Sequence, residues 1–389
     1  MNKPRIARSI ALASCLGAFV TPVLAQHIIV GIDDKVSWDA DGKIMTSPPE
    51  KDAVVILDIK NREKPKIVAT LPLVNSVFGP PVNLAITPDD SLALVANSLD
   101  WVQEEGKWKG VPGSDIYVID LKASPPALIA TVKGGKQPSG MAINRAGNLA
   151  LVANRADNSV SVLSISGKEV KVIDTVPIGE QVSAVAFTPD GKRALVSKNV
   201  TNKAAVLDID GDKVTYSKYD MLVGLFPYNV AITPNGKLGL TANNGALGSA
   251  DGNVDTVGVI DMEAKPPRVI DEVVVGDGPE GLAISPTGRI AVAMLLRGSN
   301  ASKSAFFYHR NGAVAVLAID GKKVKKIAEV EVRGLPEGAV FSPDGKYLYV
   351  GNYMDNDISI LEVSGTRVKN TGKRVELPGH PASMRGTVP

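Results

Sequence analysis

The sequence predicts an all-β protein, a seven-bladed β-propeller with four-stranded antiparallel blades. A Pro-Asp-Gly type of turn recurs along the chain every 44 to 57 residues, and short runs of β-prone residues flank each copy. A unit of about 45 residues with four short strands has the period of a propeller blade. One such sheet cannot bury both of its faces, so the units are expected to stack around an axis.

The clearest unit lies at residues 138–165, PSGMAINRAGNLALVANRADNSVSVLSI. Its β-prone runs are separated by turns at 145–148 and 154–158, a pattern typical of antiparallel hairpins. In the other units the first turn lies at 87–90, 188–191, 233–236, 285–288 and 342–345. In most of these turns Pro presets φ and a later Gly accepts positive φ.

A second motif, Pro followed by any residue, a small residue and an apolar residue, introduces the units. It occurs seven times, at 81–84, 138–141, 182–185 (with Val in place of Pro), 227–230, 279–282, 336–339 and 381–384. The last copy has no unit after it, whereas the unit that begins at Ile28 has no copy before it. The C-terminal strand is therefore expected to join the N-terminal blade, which closes the ring and removes an open sheet edge.

Residues 1–25 have the pattern of a secretory signal, and residues 26–389 are assigned to the propeller. Lys3, Arg5 and Arg8 precede an apolar run, and Val23-Leu-Ala25 fits a small-residue cleavage site. The run is too short to span a bilayer comfortably, so we expect no membrane span after cleavage. We therefore expect the protein to be periplasmic or secreted. An alternative is a lipoprotein anchored at Cys15, because LASC resembles a bacterial lipoprotein box.

Cleavage would remove the one cysteine of the chain and shift its formal charge from +2 to about −1. Disulfide and thiol chemistry are then excluded. A slightly acidic chain without a nucleic-acid motif does not suggest a nucleic-acid partner, and we expect a monomer.

Three strand ends carry a shared motif, LVAN at 94–97, LVAN at 151–154 and YVGN at 349–352. They resemble the YVTN repeat. The chain after the signal resembles the bacterial secreted YVTN-repeat proteins, a family that overlaps the seven-bladed lactonase-like superfamily. The resemblance implies the propeller fold and, more distantly, hydrolysis of a lactone. The motif specifies a blade and not a reaction.

One face of the propeller is expected to carry the function, because all long insertions fall between the second and third strands of their blades. Trp38, Trp101, Trp108 and His309 lie in these insertions. Aromatic residues on loops favour contact with a partner or ligand, although they also serve to order a long loop. The acidic segment 33–42 has calcium-like composition but lacks EF-hand spacing, which favours a solvated hairpin.

The second and third positions of the Pro motif are expected to line the channel mouth on the same face. They include Asn83, Tyr228, Asn229, Glu280 and Glu337, with His380 and Arg385 near the closing strand. Two carboxylates with one or two imidazoles could hold a divalent cation or act as acid and base. A solvated polar rim is the alternative. Asn and Asp residues at 154–158 and 352–356 are explained by Asx turns.

We therefore expect a binding module that presents an aromatic-rich face and a polar mouth to a small molecule or a periplasmic protein. The alternative is a lactonase-like hydrolase of a lactone or related ester. In that case Glu280, Glu337 and His380 would activate water, with or without a divalent metal ion at the two Glu residues, and Arg385 would hold an anionic substrate. A scaffold for a redox partner is a third possibility.

Overall fold

The computed structural model describes residues 26–245 and 249–387; the expected signal, including Cys15, lies outside the described residues. The first strands in chain order are β1 (His27–Ile32), β2 (Val36–Trp38), β3 (Ile44–Thr46), β4 (Ala53–Asp58), β5 (Lys66–Leu71), β6 (Leu84–Ile86), β7 (Leu92–Ala96), β8 (Leu99–Glu104), β9 (Lys107–Pro112), β10 (Asp115–Asp120), β11 (Ala127–Lys133), β12 (Pro138–Ile143), β13 (Leu149–Asn154), β14 (Ser159–Ser166), β15 (Glu169–Pro177) and β16 (Val185–Phe187).

The remaining strands are β17 (Arg193–Lys198), β18 (Lys203–Asp210), β19 (Lys213–Leu222), β20 (Pro227–Ile232), β21 (Leu238–Asn243), β22 (Asp255–Asp261), β23 (Arg268–Gly276), β24 (Pro279–Ile284), β25 (Ile290–Leu295), β26 (Ala313–Asp320), β27 (Lys323–Glu331), β28 (Pro336–Phe341), β29 (Tyr347–Asn352), β30 (Asp357–Ser364), β31 (Arg367–Glu376) and β32 (Pro381–Gly386). Two short 3₁₀ turns lie at Pro49–Lys51 and Tyr353–Asp355. No helix in the described part of the chain is long and apolar enough to cross a membrane.

Seven four-stranded antiparallel sheets form the blades, which confirms the predicted fold. Their strand orders, from the inner to the outer edge, are β32-β1-β4-β5, β6-β7-β10-β11, β12-β13-β14-β15, β16-β17-β18-β19, β20-β21-β22-β23, β24-β25-β26-β27 and β28-β29-β30-β31. We number these blades 1 to 7. Two extra hairpins, β2-β3 and β8-β9, lie in the insertions of blades 1 and 2.

The core consists of apolar clusters between neighbouring blades. Leu151 of blade 3 and Val196 of blade 4 share one such cluster, and Leu240 of blade 5 and Leu282 of blade 6 share another. Because both faces of a blade are covered, middle strands such as β13 are buried along their whole length. The outer strands alternate between buried and exposed side chains and face solvent.

The predicted ring closure is present, because β32 pairs with β1 in antiparallel register, with Ile29 opposite Arg385. Asp90 of blade 2 fastens both ends of the closed blade. Its carboxylate lies 2.8 Å from Nδ1 of His27 and accepts a hydrogen bond from the Thr387 hydroxyl at 3.1 Å. One buried carboxylate thus ties the N-terminal strand and the C-terminal strand to the neighbouring blade.

All seven inner strands run in the same direction, from the face that carries the insertions to the face that carries the Pro-Asp-Gly turns. We call these the loop end and the turn end of the channel. The strand register pairs the first residue of the Pro motif with the last residue of the second strand, as in Pro138 with Asn154 and Pro336 with Asn352. The second motif position therefore lies at the loop end in each blade.

Candidate functional site: a carboxyl pair at the loop end of the channel

The small third residue of the Pro motif lets neighbouring inner strands crowd together. A Cβ on Gly281 would lie 2.0 Å from the Glu337 carbonyl oxygen, and a Cβ on Gly338 would lie 2.5 Å from the Met384 nitrogen. Both distances are shorter than any side chain tolerates, so glycine is required there. The close approach of β24 and β28 brings the residues before these glycines, Glu280 and Glu337, to one sector of the loop end.

Glu280 and Glu337 form a buried carboxyl pair. Their side chains are only 7% and 2% exposed. Burial raises the pKa of Glu280 to about 8, against the opposing effect of the nearby Arg155 guanidinium. Burial and the neighbouring Glu280 hold the pKa of Glu337 well above its usual range. Because two buried like charges repel, the pair keeps at least one proton at neutral pH.

Arg155 and Tyr228 complete the cluster from blades 3 and 5. Nη1 of Arg155 donates to the Tyr228 hydroxyl at 3.3 Å, and the guanidinium carbon lies 5.5 Å from the tyrosine ring centroid. Phe226 stacks on Tyr228, with the ring centroids 5.6 Å apart. Burial raises the pKa of Tyr228 to about 12, so its hydroxyl remains a neutral donor. The cluster combines two carboxyl groups, a guanidinium and a phenol.

Several polar atoms around this end are buried and have no hydrogen-bond partner within the described residues. They are Nδ2 of Asn75, Oδ1 of Asn83, Oγ of Ser139, Nε of Arg155, Nδ2 of Asn229, Oε2 of Glu337 and Oγ of Ser383. Buried polar groups are normally paired, so a concentration of free donors and acceptors marks a place that suits polar guests. Asn83 and Asn229, predicted from their motif positions, belong to this set, whereas Asn75 comes from the link between blades 1 and 2.

A roof of interlocked insertions lies over this end. Trp38 of blade 1 packs edge-on against Tyr353 of blade 7 with centroids 5.6 Å apart, and both belong to an apolar cluster with Leu296 of blade 6. Trp101 of blade 2 joins the same cluster. These two tryptophans therefore pack the insertions together, as the alternative in the sequence prediction has it, and contact of this face with a partner or ligand stays a prediction. Trp108 contributes its carbonyl oxygen, 3.4 Å from the Thr46 hydroxyl.

The two predicted histidines make their hydrogen bonds to loop carbonyl groups and not to the carboxyl pair. His380 stacks on Tyr353 at 4.8 Å between centroids, and its Nδ1 lies 2.8 Å from the Tyr353 carbonyl oxygen. His309 is exposed, with Nδ1 3.0 Å from the carbonyl oxygen of Phe307. His380 thus contacts the loops of blades 7 and 1, where its Nε2 also lies 3.7 Å from the Asp34 carboxylate. Arg155 and Tyr228 are the charged and polar neighbours of the carboxyl pair.

Arg385 lies at the turn end and not with the carboxyl pair. It is the fifth residue of β32, near the end of the inner strand, and it lines a cavity with residues such as Ile143 and Phe341 from the corresponding ends of other inner strands. The expected grouping of Arg385 with Glu280 and Glu337 is therefore wrong, because five residues of extended strand separate the second motif position from the turn.

The acidic hairpin of blade 1 also differs from expectation at its base. Asp33 and Lys35 are 0% and 1% exposed, and Nζ of Lys35 lies 3.0 Å from the Asp33 carboxylate. Lys35 also contacts Asp52 and the Asn75 carbonyl oxygen. Burial is the main cause that raises the pKa of Asp52 to about 6. Only the tip of the hairpin, with Asp39 and Asp41, is solvated as predicted.

Arg155 was not among the predicted site residues, because the Asn and Asp residues of the turn 154–158 were explained by Asx turns. Arg155 follows the last residue of its second strand. The corresponding positions of the other blades hold Asp33, Ser98 (which follows the LVAN motif of blade 2), Asn199, Asn244, Leu296 and Tyr353. These positions lie at the channel mouth next to the second motif position. Aligning the blades at the strand end, and not only at the Pro motif, would have revealed the one arginine among them.

The carboxyl pair does not fit a divalent metal. No group of three or more His, Cys, Asp or Glu side chains in the described ranges is arranged to hold one. Arg155, which lies within electrostatic range of Glu280, adds a positive charge that disfavours a cation there.

Comparison with solved structures supports the fold. Periplasmic gluconolactonase of Pseudomonas aeruginosa superposes with a TM-score of 0.66 at 17% identity, over 94% of this chain and 99% of that one. A proposed 6-phosphogluconolactonase of Bacteroides fragilis gives 0.70 at 17% identity, over 94% and 99%. Hydrazine synthase of Kuenenia stuttgartiensis gives 0.58 at 22% identity, over 74% and 78%. At these identities the likeness extends to the fold alone.

No protein-family model matches the chain. No curated protein matches it in sequence.

Proposed function

We propose that the protein takes up a small polar molecule at the loop end and hydrolyses an ester bond in it, with a lactone as the substrate class. The observation that carries this proposal is the buried pair of Glu280 and Glu337 beside Arg155 and Tyr228. Two carboxyl groups whose pKa values are raised and separated are suited to act as acid and base. The fold is also that of a periplasmic gluconolactonase, which supports the choice of ester.

The proposed proton transfers use one carboxylate and one carboxylic acid. The Arg155 guanidinium opposes the rise in the pKa of Glu280, and Glu280 raises the pKa of Glu337, so Glu280 is assigned as the member that ionises first. The Glu280 carboxylate takes a proton from water as the hydroxide oxygen bonds to the lactone carbonyl carbon. The ring C–O bond then breaks, and Glu337 gives its proton to the departing oxygen. The product is the open hydroxy acid, and proton exchange with solvent restores the pair.

Arg155 and Tyr228 are placed to stabilise the negative charge that develops on the carbonyl oxygen. Because Arg155 donates to the phenol oxygen, the phenol hydrogen is free to point elsewhere. A donor held in a buried, rigid position stabilises an oxyanion more strongly than water does. The stacked Phe226 fixes the tyrosine ring.

Hydrolysis of sugar and aliphatic lactones, followed by proton release in a weakly buffered solution, tests this assignment. Glu280→Gln and Glu337→Gln should each lower kcat by a factor of 10² to 10⁴, the range that general acid–base catalysis supplies. Glu376→Gln, an exposed glutamate on the outer strand of blade 7, is the matched control and should leave the rate unchanged. Wild-type protein that hydrolyses no lactone above the spontaneous rate would refute the proposal, as would normal rates in both variants.

A second candidate function is docking of a protein partner on the loop end of blades 4 to 6. Large apolar side chains are exposed there beside the roof. They are Val200 at 56%, Leu222 at 74%, Leu225 at 65%, Val254 at 69% and Phe306 at 89%. Exposed apolar side chains gathered on one face are typical of interaction sites. Docking on this surface and hydrolysis at the carboxyl pair use different residues, so the two functions are compatible in this protein.

A further inference from the structure

A cavity opens at the turn end of the channel, and its walls differ in chemistry from the residues of the loop end. It holds about 210 Å³ and is lined mainly by apolar side chains at the ends of the inner strands. The largest of these are Ile86, Ile143, Phe187, Ile232, Ile284 and Phe341. Prolines of the recurring turns, such as Pro88 and Pro189, form its rim.

Arg385 is the charged side chain of the cavity wall itself. Hydrogen bonds and ion pairs within the described residues do not include its guanidinium, and burial alone lowers its pKa to about 10. A cation surrounded by apolar groups loses hydration energy and is normally compensated by a partner. The lining residues include no aspartate or glutamate that could serve.

Arg145 adds a second positive charge at the rim. It occupies the turn position of blade 3 at which five other blades carry Pro. Its Nη2 donates to the Pro234 carbonyl oxygen of blade 5 at 3.2 Å, so the side chain extends past the turn of blade 4. The turn end therefore combines an apolar interior with two guanidinium groups.

From this arrangement we propose that the turn-end cavity binds a small amphipathic carboxylate, with its anionic group on Arg385 and its apolar tail against the strand ends. A guanidinium binds a carboxylate through two parallel hydrogen bonds, which suits an anion of this geometry. The cavity volume equals the share of about seven liquid waters, which accommodates a tail of roughly five or six carbons. Longer chains would project from the rim past Arg145.

Calorimetric titration with sodium hexanoate, 1-hexanol and sodium acetate separates the two contributions. Hexanoate should bind wild-type protein at least tenfold more tightly than either the neutral alcohol or the short anion. Arg385→Met, which keeps the volume and removes the charge, should weaken hexanoate at least tenfold and leave 1-hexanol unchanged. Arg367→Met, on the exposed outer strand of blade 7, is the matched control.

Equal affinity for hexanoate and hexanol, or unchanged hexanoate binding by Arg385→Met, would overturn the proposal. If Arg385→Met fails to fold, Ala142→Leu provides the test, because the larger side chain fills the cavity from another blade. Loss of hexanoate binding by Ala142→Leu would support the site, and unchanged binding would refute it. The double variant Glu280→Gln/Glu337→Gln should bind hexanoate normally. The proposed binding site at the turn end is therefore tested independently of the proposed hydrolysis at the loop end.

Discussion

The two ends of one channel have opposite chemistry. The loop end has buried carboxyl groups, amides and hydroxyls under a roof of insertions, whereas the turn end has apolar strand ends, a ring of prolines and two arginines. Both ends come from the same seven inner strands. The difference arises because a given motif position lies at the same height in all blades, so the residues at each position determine one ring of the channel.

The two rings also differ in how much the blades resemble one another. At the turn end nearly all blades carry the same Pro-containing turn, because its backbone geometry limits the residues that fit. At the loop end the second motif position holds Val, Ser, Tyr, Glu or Ala. Arg145 is the single residue that departs from this Pro-containing turn. It therefore indicates a binding site at the turn end in the same way that the two glutamates indicate one at the loop end.

The loop end should depend on buried charge for its stability far more than the turn end does. Lys35→Met would leave Asp33 and Asp52 buried without their shared cation, next to Asn75 below the roof. Removing one partner of a buried ion pair lowers the free energy of unfolding by about 3–5 kcal/mol, so the midpoint of urea unfolding should shift to a lower urea concentration. Lys51→Met is the control, since its side chain is 81% exposed and an exposed pair contributes at most about 1 kcal/mol.

Equal urea midpoints for Lys35→Met and Lys51→Met would show that the roof is not held by this cluster. In that case the apolar contacts of Trp38 and Trp101 with Tyr353 would have to carry the insertions by themselves.

The turn motif and the Pro motif predicted seven blades and the closing strand, because both depend on local backbone geometry. They could not predict which side chains of the channel meet. Arg155 and Glu280 come from blades 3 and 6, and their approach depends on the diameter of the ring. Arg385 was placed at the wrong end because its position along β32, four residues after Pro381, was not used. Lys35 was taken as solvated because nothing local indicates that the link at Asn75 covers it.

The raised pKa of the carboxyl pair predicts a pH dependence that the turn end lacks. Glu280 ionises near pH 4.5 when unfolded and near pH 8 when folded, so the native state binds more protons between these values. The contribution of Glu280 to the free energy of unfolding is therefore fully present below about pH 4.5 and is lost as the pH rises through 8. Asp52 and Asp255, with pKa values raised to about 6, contribute in the same direction but only at lower pH.

Thermal unfolding between pH 6.5 and 8.5 isolates the pair from these aspartates. The melting temperature of wild-type protein should fall by a few degrees across this window, and that of Glu280→Gln/Glu337→Gln should change much less. A parallel fall in both proteins would mean that the pair ionises as readily as exposed carboxylates, and the division into one acid and one base would lose its basis.

The smallest effect on stability is expected at the exposed rim of the loop end. Phe306 is 89% exposed and contacts Phe307 edge-on at 5.2 Å between centroids, so Phe306→Ser should change the free energy of unfolding by no more than about 0.5 kcal/mol.

If this rim docks a protein, the same change should lower retention of partner from a periplasmic extract on immobilised protein. Phe341→Ser, inside the turn-end cavity, should do the reverse and destabilise the fold, because that side chain is 8% exposed and packs between blades 6 and 7. A Phe306→Ser protein that retains every partner, with lactone hydrolysis intact, would leave the enclosed carboxyl pair as the functional feature of the loop end and reduce the apolar rim to ordinary surface.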